Sequence, residues 1–256
     1  MNTPHQPVWE MALDTIGQQL RQRTSAAASQ APGNTEATVN TDEASHAQLE
    51  DYAHILQGCL ALHPSAVPLP ALLRQCWQSH SQEALAKGLR YTHHGLAQLP
   101  EKVQADAQRL RQIVRNLLSN AIRFTGSGRV ELHVHWQQSA PSAGQLYLYV
   151  VDTGAGMSSR MKDKLFNPFD HVLTELDRHQ RGQTGFARHL GLVVTAGIVR
   201  AWGGQIEVRS ALGTGSTFMV ELPMLTLPLF RVVLSPTVTR PFCAVPRTSV
   251  ARTASG

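Results

Sequence analysis

Cysteine is scarce. The three present, Cys59, Cys76 and Cys243, are odd in number and too widely spaced for a CxxC zinc or redox site, so no disulfide framework is expected. Lysine is nearly as rare: Lys87, Lys102, Lys162 and Lys164 are its only occurrences, so the net charge of +5 rests on scattered arginine with no run of four basic residues. That pattern argues against a nucleic-acid partner and leaves a mild positive field suited to a nucleotide or an acidic protein face. No apolar run reaches the roughly 18 to 20 residues of a bilayer crossing, because Glu221, Pro223, Pro228 and Arg231 interrupt the best candidate, Phe218 to Leu234. The amino terminus lacks the basic start and apolar core of a secretory signal, so a soluble protein with a cytoplasmic address is expected.

The 256 residues, 42% of them apolar, can bury one or two ordinary cores. Residues 1–23 hold an amphipathic helix, Val8 to Arg23, and residues 24–47 read as a flexible linker rich in Ser, Thr and Ala. Residues 48–65 form a helix on the spacing of Leu49, Tyr52, Ile55, Leu56, Cys59 and Leu60, ended by His63-Pro64. One domain follows over 66–224, with helices at Pro70 to Lys87, Asp106 to Phe124 and Leu190 to Trp202. Strands are expected at Leu89 to His93, Arg129 to Gln137, Gln145 to Asp152, Gln205 to Ser210 and Ser216 to Leu222. Such a mixture argues for an α/β or α+β domain. Residues 225–256, with four prolines and no Asp or Glu, read as a disordered tail.

The sharpest pattern is the helix Asp106 to Phe124. Leu110, Ile113, Val114, Leu117, Leu118, Ala121 and Ile122 make its core face, with Asp106 placed to cap. Off that face, Asn116, Asn120 and Arg123 form a narrow polar stripe. Asparagine is a poor mid-helix residue, so two aligned ones invite either a functional account or that of a solvated face. An apolar strand then runs into Asp152, Gly154, Gly156 and Met157, where glycines let backbone approach a ligand and a carboxylate can accept from an amino group; a plain turn is the alternative. Phe166 and Phe169 flank a proline, and Gly182 and Gly185 lead into Leu190, Gly191 and Leu192. Gly213 to Phe218 reads as a hairpin. His133 and His135 share one strand face without an apparent third ligand.

In this order the segments resemble the asparagine box, first glycine box, phenylalanine box and second glycine box of sensor histidine kinase catalytic domains, over about Leu49 to Pro223. The phenylalanine box favours the kinase branch of the GHKL ATPase superfamily. The resemblance implies the Bergerat fold, an α/β two-layer sandwich with a mixed, mainly antiparallel sheet and helices on one face. It implies that Asp152 accepts from the adenine amino group, with Thr217 helping through a water. It implies that Gly154 and Gly156 keep the pocket floor open beside Met157, and that Asn120 offers its amide oxygen to magnesium. Asn116 and Arg123 border the phosphates as the catalytic pair. Phe166 and Phe169 pin a lid over Asp170 to Arg188, and Gly185, Leu190, Gly191 and Leu192 complete the nucleotide site. ATP and magnesium are the implied ligands.

Two departures matter. An ungapped alignment on Leu190-Gly191-Leu192 puts Ala187 and His189 where the family carries glycine; alternatively, Gly182 to Gly185 starts the box and 186–189 is an insertion. None of the twelve histidines precedes Asp or Glu, as the family's phosphoacceptor does. The resemblance therefore implies transfer of the γ-phosphoryl group to a histidine of a partner kinase or other acceptor chain, with a response regulator downstream and dimer assembly. The alternative is a pseudokinase that regulates such partners by binding alone.

Overall fold

The structure, a computed structural model, describes residues 47–48, 50–166 and 190–227. The expected amino-terminal helix, nearly all of the linker, the lid and the tail beyond residue 227 lie outside the described residues.

The first element is a helix, α1, whose described residues are 47–48 and 50–56. It stops well before His63 because Gly58 takes a φ of +67°, the left-handed conformation that ends helices. Next come β1 (Ser65–Pro68), α2 (Leu69–Ser79) and α3 (Ser81–Ala86). The single helix expected from Pro70 to Lys87 is thus two helices that break at His80, which serves α2 as C-cap and α3 as N-cap. β2 (Arg90–His94), a 3-10 turn at Leu96–Gln98 and β3 (Lys102–Ala105) lead into α4 (Ala107–Phe124). β4 (Arg129–Ala140), β5 (Ala143–Asp152), α5 (Ser159–Lys164), α6 (Leu190–Ala201), β6 (Gln205–Ala211) and β7 (Gly215–Thr226) complete the order.

The seven strands form one sheet in the order β1-β3-β7-β5-β4-β2, with β6 beside the first half of β7. Every pairing is antiparallel except β2 with β4. β7 runs through Pro223, past the expected boundary at residue 224. Proline is tolerated there because β6 has ended at Glu221 and β3 begins only at Leu225, which leaves that side of β7 unpaired.

Alternation in the strands decides the layers. Leu146, Leu148 and Val150 of β5 and Phe218, Val220 and Leu222 of β7 are buried under the helices, whereas Tyr147, Tyr149 and Val151 face the other side. The apolar stripe of α4, from Leu110 to Ile122, lies on this inner face. Each such aliphatic side chain contributes about 1.5 to 3 kcal/mol on leaving water, which outweighs the roughly 0.5 kcal/mol that each asparagine costs the helix. Asp106 caps α4 by accepting from the N–H groups of Gln108 and Arg109, both at 3.0 Å. At the other end Lys87 Nζ donates to the carbonyl of Ile122 at 2.8 Å. α6 buries residues around most of its circumference, as a helix wedged between α1, α4 and the sheet must.

Candidate functional site

α4 carries the polar stripe toward α6. Asn116 is buried, and its Nδ2 donates to the Gly191 carbonyl at 2.9 Å and to Thr195 Oγ1 at 3.2 Å. Its Oδ1 has no partner among the described residues. One turn on, half-buried Asn120 accepts at Oδ1 from Arg123 Nη2 at 2.9 Å, and the Arg123 guanidinium also lies 4.5 Å over the Phe124 ring. Asn116, Asn120 and Arg123 therefore form one polar edge, with Asn116 as its joint to Gly191.

Asp152 closes β5 on the inner face, near the carboxy-terminal end of α4. It is 5% exposed and accepts from the Gly154 N–H at 2.8 Å. Ser216, directly opposite on β7, sets its N–H and hydroxyl near the carboxylate, where both favour its charged form. Burial pushes the Asp152 carboxyl above its ordinary value, and the Gly154 and Ser216 groups only partly pull it back. A carboxylate has about four acceptor positions, so capacity remains for a donor brought by a ligand. Ser210 Oγ lies 3.0 Å from Ser216 Oγ and accepts from the Met157 N–H at 2.9 Å, which ties the glycine loop to the same hydroxyl pair.

The loop's glycines answer to backbone packing. A Cβ on Gly154 would stand 2.4 Å from the carbonyl oxygen of Phe124. One on Gly156, whose φ is +66°, would stand 1.9 Å from that of Ala211. The loop threads between the end of α4 and the β6–β7 turn, where Gly213 N–H donates to Ala155 O at 2.8 Å. Glycine is required here by protein contacts, rather than only to leave a floor open to ligand.

Thr217 departs from expectation. It pairs with Val151 and Arg209 on the outer face, and it lines a depression of about 390 Å³ at the strand ends that Arg129, Arg209, Asp152 and Ser216 also line. Strand parity thus turns its side chain away from that of Asp152, and Ser216 takes the neighbouring place. The parity of Phe218, Val220 and Leu222 was the available signal, since Ser216 shares it and Thr217 does not. Gly191 lies against Asn116, Leu190 is buried, and Leu192, Met157 and Phe166 pack partly buried against the core. Phe169 and Gly185 lie outside the described residues. His133 Nε2 sits 3.2 Å from Glu131 Oε2 and its ring stacks on His94 at 4.7 Å.

A buried acceptor at a strand end, beneath a helix with aligned asparagines and beside a glycine-braced loop, defines an ATPase domain of the Bergerat type. Residues 105–226 match the profile of the family described as histidine kinase-, DNA gyrase B- and HSP90-like ATPases. This domain belongs to that family, in its sensor histidine kinase branch. The chain is 32% identical over 172 residues to the signal transduction histidine-protein kinase BarA of Escherichia coli, covering 67% of this chain and 18% of BarA. It is 34% identical over 177 residues to the sensor protein GacS of Pseudomonas syringae, covering 69% of this chain and 19% of GacS. It thus spans less than a fifth of these relatives. Among solved structures, full-length ShkA in complex with AMPPNP aligns with a TM-score of 0.58 at 24% identity, covering 84% of this chain and 46% of ShkA. The histidine kinase AdeS of Acinetobacter baumannii aligns with a TM-score of 0.52 at 20% identity, covering 82% of this chain and 95% of AdeS. Among the described residues no helix is long and apolar enough to cross a membrane.

Proposed function

We propose that this chain binds ATP with magnesium in the cytoplasm and transfers the γ-phosphoryl group to a histidine supplied by another chain, with a response regulator downstream. The observation that carries the reading is Asp152, a buried carboxylate that accepts from Gly154 and keeps acceptor capacity for a ligand, at the foot of the Asn116–Asn120–Arg123 edge. An adenine amino group supplies the missing donor. The amide oxygens of Asn116 and Asn120 are hard, neutral ligands of the kind magnesium prefers alongside phosphate, and Arg123 is a planar cation suited to phosphate oxygens. Magnesium, when bound, would offset charge on the phosphates. To free Asn120 Oδ1 for that role, Arg123 turns from the amide to the phosphate chain.

Transfer then needs positioning more than covalent help from the protein. An imidazole nitrogen of the acceptor attacks the γ-phosphorus in line as the bond to the β,γ-bridging oxygen breaks. ADP leaves with the electron pair, and the imidazole proton passes to solvent. Calorimetric titration with magnesium-ATP tests binding, and incubation with labelled ATP tests transfer. The chain alone stays unlabelled, and adding a partner with an acceptor helix gives acid-labile label on that partner. Acid-labile label on the isolated chain would overturn transfer in trans, and absence of nucleotide binding would overturn the whole reading.

A further inference from the structure

α1 is fastened to the ATPase domain by a buried polar clamp. Asp51 is 7% exposed; its Oδ1 lies 2.6 Å from Arg109 Nη1, and its Oδ2 accepts from Gln112 Nε2 at 2.6 Å. Arg109 Nη1 also donates to Gln112 Oε1 at 2.9 Å, which closes a three-membered network. Arg109 and Gln112 stand one turn apart on α4, so a single carboxylate spans both. The apolar half of the contact falls on α6. Tyr52 is fully buried, and Ile55 fills the notch at Gly197, where a Cβ would come within 2.4 Å of the Ile55 Cδ1.

These two helices also form the nucleotide edge. Gln112 and Arg109 lie about one and two turns before Asn116 on α4. Gly197 lies fewer than two turns after Gly191 on α6, and Asn116 bonds Gly191 directly at 2.9 Å. α1 therefore grips both helices close to the point where they meet. Loss of one partner from a buried charge is costly, so the clamp is closed with all three members or fails with any one.

We propose that Asp51 is a positioning residue. Through Arg109 and Gln112 it makes α1 set the spacing of α4 and α6 at the Asn116–Gly191 joint, so that displacement of the chain upstream is read as a change in nucleotide affinity. The inference rests on the ATP-binding reading and deepens it. Linkage makes the effect reciprocal: if a closed clamp favours nucleotide, nucleotide favours a closed clamp by the same factor.

The test follows hydrogen exchange over 50–56, with and without magnesium-ATP, and ATP affinity by calorimetry, on the full chain. In the unaltered chain ATP should slow exchange across 50–56. Asp51→Asn keeps the shape but removes the charge; it should weaken ATP binding about fivefold or more and abolish the added protection. Adding Arg109→Gln to Asp51→Asn should weaken binding little further, because the clamp is already open. Leu89→Ala, a buried truncation beside β2 at the far edge of the sheet, should lower the unfolding temperature while leaving affinity and protection unchanged, which separates coupling from general destabilisation. Should Asp51→Asn fail to fold, Ile55→Val loosens the contact at Gly197 and should act in the same direction with smaller amplitude. ATP binding that leaves exchange at 50–56 unchanged overturns the clamp alone. So does a folded Asp51→Asn chain with unaltered affinity. Absence of ATP binding in the unaltered chain overturns the clamp together with the reading beneath it.

Discussion

Ser216 faces Asp152 across the β5–β7 ladder, and its main-chain N–H and hydroxyl both favour the charged form of the carboxylate. On the reading proposed above, the pair makes Ser216 a determinant of nucleotide affinity. Ser216→Ala removes the hydroxyl donor and leaves the buried carboxylate less compensated, at a cost of about 1 kcal/mol, or roughly fivefold in the ATP dissociation constant. Thr217→Ala, one residue further on the opposite face, should leave affinity unchanged. Calorimetry on the two variants separates them, and a larger loss from Thr217→Ala would refute the assignment.

Asp152 also gives the site a pH dependence whose sign differs between stability and binding. Burial holds its carboxyl above the ordinary 3.8, so between that value and the raised one the folded state keeps a proton that the unfolded chain releases. This contribution to stability is present at low pH and is lost as pH rises through the raised value. On the proposed reading nucleotide affinity runs the other way, because a protonated carboxyl is a weaker acceptor for the adenine amino group. Asp152→Asn should flatten both profiles and weaken ATP binding by on the order of 1.5 to 3 kcal/mol at neutral pH. Denaturation and calorimetry across acid pH read the two effects separately.

The parts of the fold legible in the sequence were those with long, uninterrupted periodicity. α4 needed only its apolar stripe and the Asp106 cap, and both held in the structure. β5 was nearly as plain, since Tyr147, Tyr149 and Val151 alternate with the buried Leu146, Leu148 and Val150. What escaped were elements too short for any period to show. β1 and β3 have four residues each, and they exist because β3 finds β7 and β1 finds β3, a tertiary fact. α5 spans six residues with none buried and is held at its start by Ser158, whose Oγ accepts from the Met161 N–H. At the site, residue types in family order located Asp152 and the asparagines. Choosing Ser216 over Thr217 required strand parity, and nothing local in α1 announced that Asp51 meets Arg109 and Gln112, more than fifty residues away.

The glycine loop supplies a comparison at nearly constant backbone strain. Gly156 and Gly213 have φ of +66° and +76°, but a Cβ on Gly156 would strike the Ala211 carbonyl at 1.9 Å, whereas nothing lies within 4 Å of one on Gly213. Gly213→Ala should therefore cost only the left-handed strain, about 1 to 2 kcal/mol. Gly156→Ala adds displacement of main chain and should cost more than about 3 kcal/mol. Urea denaturation measures both, and equal losses would show that the loop yields without resistance.

Asp106 holds more than the start of a helix. One carboxylate oxygen accepts from the Gln108 and Arg109 N–H groups at 3.0 Å each, while the other accepts from the His63 N–H at 2.8 Å, which pins the segment between α1 and β1 to the amino-terminal end of α4. An ordinary N-cap is worth about 1 kcal/mol. Here Asp106→Ala also strands the His63 donor and forfeits the favourable interaction of a negative charge with the helix amino terminus, so a loss of about 2 to 3 kcal/mol is expected. Asp106→Asn keeps one acceptor oxygen for the helix cap but loses the charge and the second acceptor that His63 uses, and should recover roughly half of that loss. Because Arg109 takes its main-chain cap from Asp106 and its side-chain partner from Asp51, the alanine variant should also speed hydrogen exchange in α1, whereas the asparagine variant should leave α1 close to its original protection. Denaturant titration together with hydrogen exchange over 50–63 distinguishes the two variants. Identical exchange in α1 for both would mean that the cap and the Asp51 clamp act independently.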